Sequence, residues 1–159
     1  MGLRITAYKN LSVVQNPEFD KYGGLVNWET QWQPGAGLEW SEKYFAGRGE
    51  GVESKKVYKW ESEFNFIVGS YSGYNWWRSK LEQFSNGSLA FQELINFADN
   101  EGVIGYVVSK KLVKDFIDNE EKAIKFSKSL SDGDWWIQQY SLWRKAFEVD
   151  SENGAVDFR

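Results

Sequence analysis

YKWESEFNFIV, residues Tyr58 to Val68, alternates along its whole length. Tyr58, Trp60, Phe64, Phe66 and Val68 fall on one side; Lys59, Glu61, Glu63, Asn65 and Ile67 fall on the other. A period of two predicts one long antiparallel strand with a wet face. On that wet face Glu61 and Glu63 could flank a substrate or hold a divalent ion, and they equally suit a plain solvated sheet surface.

Upstream, Leu3, Ile5 and Ala7 alternate with Arg4, Thr6 and Tyr8, a first strand that Leu11 and Val13 would extend. Residues 16–24, NPEFDKYGG, read as a loop. Val26, Trp28 and Trp32 alternate with polar residues and make a candidate second strand. Glycines then crowd residues 33–55, which predicts a surface excursion, and long loops are functional or mobile.

Downstream the period changes. Tyr74, Trp77, Leu81 and Phe84 recur at helical spacing after the GSYSGYN turn, with a stop at Asn86-Gly87. Phe91, Leu94, Ile95 and Ala98 predict a second helix. A third begins near Ser109 and carries Leu112, Val113, Phe116, Ile117, Ala123 and Ile124. Asp132 or Asp134 would cap a fourth, with Trp136, Tyr140, Trp143 and Phe147 on its apolar face. The tail NGAVDFR would return as an edge strand. Strands first and helices second predict an α+β fold, an antiparallel sheet of about three to five strands covered by about four helices. No repeat or linker interrupts residues 1–159, so a single globular domain is expected.

Composition narrows the chemistry. Aromatic residues make up 18% of the 159, including nine tryptophans, about twice the usual share, while the net charge is only -4. Such mild acidity disfavours a nucleic-acid binder, which needs a basic stripe to displace counterions. Neither cysteine nor histidine is present. That removes disulfides, thiolate chemistry, sulfur-based zinc sites and histidine-based triads. Catalysis would have to rest on Asp, Glu, Lys, Tyr, Ser or Thr, and a metal would need oxygen ligands alone. No cofactor is expected. MGLRITAYKNL lacks the apolar run of a signal peptide, and its match to a myristoylation pattern is outweighed by its strand pattern. Nothing approaches a membrane span, so a cytoplasmic protein is expected.

Two segments concentrate polar chemistry. In ELINFADNEGVIG, residues 93–105, Asn96, Asp99, Asn100 and Glu101 gather where a helix runs out. A helix C-terminus is the negative end of the dipole, so carboxylates there call for a cation, a basic side chain or the next helix N-terminus. Gly102 and Gly105 permit a tight turn and close backbone approach. In GSYSGYNWWR, Ser70, Tyr71, Tyr74, Asn75 and Arg78 surround a strand-to-helix turn whose free N–H groups could receive an anion. The two segments would form two walls of a pocket, with Asp157 closing it from the tail. Alanine at Asp99, Glu101 or Arg78 should then damage function and leave the thermal midpoint almost unchanged. The Trp76-Trp77 and Trp135-Trp136 pairs cannot each share one core face, which leaves Trp76 and Trp135 at the margin. The lysine-rich run 110–128, interleaved with acids, reads as a solvated helix face.

MGLRITAY, GSYSGYNWWRSKL, FQELINFADNEGVIGYVVSKKLVKDF and WRKAFEVDSENGAVDFR together resemble a family of uncharacterised proteins encoded by bacteriophages and prophages. The likeness covers about half of the chain; residues 17–57 do not share it. Members of the family tend to carry Cys where this chain has Asn100, and Pro where it has Tyr106. The resemblance implies a small protein made inside a bacterial host, with no established activity. The leading expectation is a non-enzymatic accessory protein that binds a host protein or sequesters a small polar ligand, with counter-defence as one such role. One alternative is a carboxylate-dependent, magnesium-using hydrolase built on Asp99 and Glu101, with Arg78 holding an anionic substrate. Another is an immunity protein that neutralises a toxin.

Overall fold

The computed structural model describes residues 2–97 and 101–159. Strand β1 (Leu3–Lys9) is followed by the short β2 (Ser12–Val13), helix α1 (Gly35–Tyr44) and the short β3 (Tyr58–Lys59). Strand β4 (Ser62–Gly69) leads into α2 (Tyr71–Ser85), the brief α3 (Gln92–Ile95) and β5 (Gly102–Gly105). Helices α4 (Tyr106–Asp118), α5 (Glu120–Ser127) and α6 (Gly133–Asp150) precede the last strand, β6 (Ala155–Phe158). The fold is α+β: an antiparallel sheet in the order β4-β1-β6-β5, a β2-β3 ribbon, and helices drawn mainly from the second half.

Strand alternation decides which side chains meet the helices. Ile5 lies opposite Phe66 on one neighbour and Phe158 on the other, and Ala7 lies between Phe64 and Val156. These rows join Tyr74, Trp77 and Leu81 of α2, Leu112 and Phe116 of α4, and the Trp136–Tyr140–Trp143–Phe147 face of α6 in one core. Each such side chain, fully buried, stabilises by about 1.5–3 kcal/mol. Where α2 crosses α6, the Trp77 indole N–H donates to the Trp136 carbonyl at 3.1 Å and the Trp136 indole N–H donates to the Trp77 carbonyl at 3.3 Å. The two largest side chains at the crossing thus satisfy their only polar atoms inside the core. Trp76 and Trp135 sit at its margin and pack on each other, ring centres 5.8 Å apart.

Several local expectations are corrected by pairing partners. The 58–68 stretch is two strands. Tyr58 and Lys59 pair with β2, while Ser62 onward pairs with β1. The alternation runs unbroken through the change of partner, so periodicity cannot register the break. Residues 26–30 are turns, and Trp32 makes only an isolated bridge to Tyr58. The 33–55 segment contains α1 and covers the outer edge of β5: the Val103 amide donates to Ser41 Oγ at 3.4 Å and the Gly105 amide to the Arg48 carbonyl at 2.8 Å. An edge strand closed this way offers fewer unpaired groups to other chains. Gly105 is needed there, since a Cβ would lie 2.0 Å from the Glu50 carbonyl oxygen. The second predicted helix is short, ending at Ile95, and Ala98 lies outside the described residues. The third divides at Asn119 into α4 and α5. The NGAVDFR tail supplies an interior strand, not an edge, because β6 pairs with β1 on one side and β5 on the other; Ala155, Val156, Asp157 and Phe158 are all buried. Among the described residues no helix is long and apolar enough to cross a membrane.

Candidate functional site

Helices α2 to α6 cover one face of the sheet. The other face carries Arg4, Thr6 and Tyr8 of β1, Glu63, Asn65 and Ile67 of β4, and Asp157 with the adjoining Arg159 of the β6 end, because alternate residues of a strand share a side. The segment between β1 and β4 folds over part of this face. Its Trp32, Leu38 and Tyr58 pack with Tyr8, Leu11, Val103 and Ala155 in a second, smaller core. What this cover leaves open forms two cavities that share Trp28 and Arg159.

The larger, about 770 Å³, is lined by Trp28, Trp32 and Tyr71, by Gln31 and Gln33, and by Glu101, Asp157 and Arg159. This volume falls in the range of small-ligand sites. Trp28 is 69% exposed, an indole held at the mouth. Asp157 and Arg159 are bound together: Arg159 Nε donates to Asp157 Oδ2 at 2.6 Å, and Arg159 Nη2 donates to the Tyr8 hydroxyl at 3.3 Å. Burial pushes the Asp157 carboxyl above its ordinary value; Arg159 and Trp32 pull it back in part, and Glu101 adds to the upward push. Burial, then the Asp157 charge, raises the Tyr8 phenol as well. The cleft therefore presents aromatic side chains and a buried carboxyl, Asp157, paired with the exposed Arg159, which in turn reaches the buried Tyr8 hydroxyl behind it.

The sequence-predicted site residues divide between the cleft and the scaffold. Tyr71, Glu101 and Asp157 line the larger cavity together. Ser70 instead caps α2, its Oγ accepting from the Gly73 amide at 3.0 Å, so the expected anion position is taken by the helix's own cap. Tyr74 is fully buried in the core. Asn75 accepts a hydrogen bond from Arg78, whose guanidinium also donates to the Ile95 and Phe97 carbonyls and lies 4.7 Å over the Tyr74 ring. Arg78 thus donates to main-chain oxygens at the end of α3 and just beyond it, and to the Asn75 side chain. Asn96 donates to Gln92 within the same turn at 3.1 Å. Asp99 and Asn100 lie outside the described residues. Glu61 pairs with Lys9 at 3.3 Å, and Glu63 lines the smaller cavity. In the lysine-rich run, Lys111 bridges Glu93 at 2.8 Å and Asp115 at 2.6 Å, a surface arrangement. Among the described residues no three acidic side chains gather as metal ligands would.

Sequence reasoning missed Tyr8, Trp28, Trp32 and Arg159. The signal that could have found them is the polar alternation of the first and last strands. Arg4-Thr6-Tyr8 and Asp157-Arg159 become one surface once those strands pair, as the Thr6–Asp157 and Tyr8–Ala155 register shows. Compared with family models, with curated proteins and with solved structures, the chain finds no match in any of the three.

Proposed function

We propose that this is a non-enzymatic binding protein that sequesters a small polar ligand carrying a flat ring. The observation that carries the reading is the cavity of about 770 Å³ lined by Trp28, Trp32 and Tyr71 together with the paired Asp157 and Arg159. Trp28 and Tyr71, the exposed aromatic residues of the lining, supply stacking faces, and Gln31, Gln33 and Glu101 supply donors and acceptors for orientation. In the phage or prophage setting that the resemblance implies, such a protein would act in counter-defence by withdrawing a host ligand. Native mass spectrometry of the chain purified from a bacterial lysate tests it. The expected result is a small-molecule mass retained by the parent and lost by Trp28→Ala. A bare mass, with indole fluorescence unmoved across a library of ring-bearing polar metabolites, would refute the reading.

Docking of a host protein is a second reading with one observation behind it. Phe19, Tyr22 and Val26 are exposed in the same segment as Trp28, Tyr22 by 84%. Tyr22→Asp with Val26→Asp would then abolish host-protein capture and leave small-molecule retention intact.

A further inference from the structure

We propose that the smaller cavity is an oxyanion subsite, in which Arg4, beside Arg159, holds the phosphate or carboxylate of the same ligand whose ring lies in the larger cavity. This rests on the ligand-binding reading above. The two cavities share Trp28 and Arg159 in their linings, so they adjoin, and a ligand reaching past these two side chains would occupy both. Arg4 and Arg159 are direct neighbours across the β1–β6 pair: each amide donates to the other's carbonyl, at 2.7 and 2.9 Å. Opposed residues of this kind have Cα atoms roughly 5.5 Å apart and side chains on one face. Asp157 compensates the Arg159 charge, so the charge on this pair that has no acidic partner among the described residues is that of Arg4.

The guanidinium groups are not equivalent. Arg159 is occupied by Asp157 and Tyr8. Arg4 is exposed, lines the smaller cavity of about 460 Å³, and makes no ion pair among the described residues. Thr6 Oγ1 donates to Asn65 Oδ1 at 2.7 Å, which engages that oxygen and leaves the Asn65 amide N–H groups as further donors in the cavity. The acids of this cavity are Glu29, exposed in the 26–30 turn, and Glu63. Glu63 faces Tyr8, whereas Arg4 faces Ile67, so the two sit roughly 13 Å apart along the strands. Arg4 is thus well separated from Glu63 and pairs with no acid among the described residues, and a planar guanidinium fork suits a bidentate oxyanion.

Calorimetric titration with ribonucleosides, their 5′-monophosphates and indole-3-acetate at fixed low ionic strength tests the subsite. A monophosphate should bind about tenfold more tightly than its nucleoside, the gain expected of one charge-assisted pair. Arg4→Gln should remove that gain and leave nucleoside affinity and thermal midpoint unchanged, and Arg4→Lys should keep part of it. An Arg4-dependent gain for indole-3-acetate alone, or for the monophosphate alone, supports the subsite and identifies its anion as carboxylate or phosphate. Nucleoside binding with no gain from either anion, or a gain that survives Arg4→Gln, overturns the subsite and leaves the ring-binding reading standing. Failure of every ring-bearing probe overturns both.

Discussion

Replacing Arg78 by Met separates a structural corner from a binding wall. Met keeps most of the apolar stem and removes the guanidinium. That group donates to the Ile95 and Phe97 carbonyls, holds Asn75, and lies 4.7 Å over the Tyr74 ring. Hydrogen bonds from a charged donor contribute about 1.5–3 kcal/mol each, and the lower end applies to a half-exposed side chain. Cation–π stacking adds about 0.5–1 kcal/mol. The Phe97 residue is buried, so its carbonyl has little access to water once its donor is gone. The two carbonyl bonds and the stacking together give an expected loss of about 4 kcal/mol, which for a chain of this length lowers the midpoint by roughly 8–16 °C. Thermal unfolding followed by circular dichroism, with urea titration for the free energy, measures it. Ligand retention in the folded fraction should be unchanged. A midpoint within about 2 °C of the parent, with retention lost, would return Arg78 to the site and refute the structural assignment.

Three further outcomes follow from the packing. Trp143 stacks on Trp77 at 5.7 Å and Phe147 at 5.8 Å and is fully buried, so Trp143→Ala should cost about 3–5 kcal/mol by urea denaturation; a loss under about 1 kcal/mol would mean the core is not built as described. Gly105→Ala would set a Cβ 2.0 Å from the Glu50 carbonyl, so the 48–51 segment must retreat from β5 at a cost of about 1–3 kcal/mol, with faster hydrogen exchange at the Gly105 amide; unchanged exchange would contradict the edge-cover role. Burial pushes the Asp150 carboxyl well above its ordinary 3.8, with Ser109 Oγ donating to it. The folded chain then binds that proton more tightly than the unfolded chain. This contribution to stability is full below the unfolded value and falls as pH rises from there through the raised folded value. Asp150→Asn should flatten that decline in urea midpoints measured from about pH 4 to pH 8, and an unaltered slope would count against it.

The sequence by itself determined the local features. The first strand, the helix ending at Asn86, the aromatic face of α6 and the division of Trp77 and Trp136 from their neighbours were legible, because each depends on spacing within a few residues. Only the tertiary structure decided which strand each segment joins and which groups meet. It divided Tyr58–Val68 between two sheets, placed the tail in the sheet interior, and turned the glycine-rich stretch into the cover of β5. It also delivered Arg78 to the end of α3 and joined Arg4, Tyr8, Trp28 and Arg159 with Asp157 across two cavities. The physical reason is that periodicity reports which face a side chain takes, whereas the neighbour on that face comes from residues as distant as β1 and β6, whose register is set only when the whole core closes.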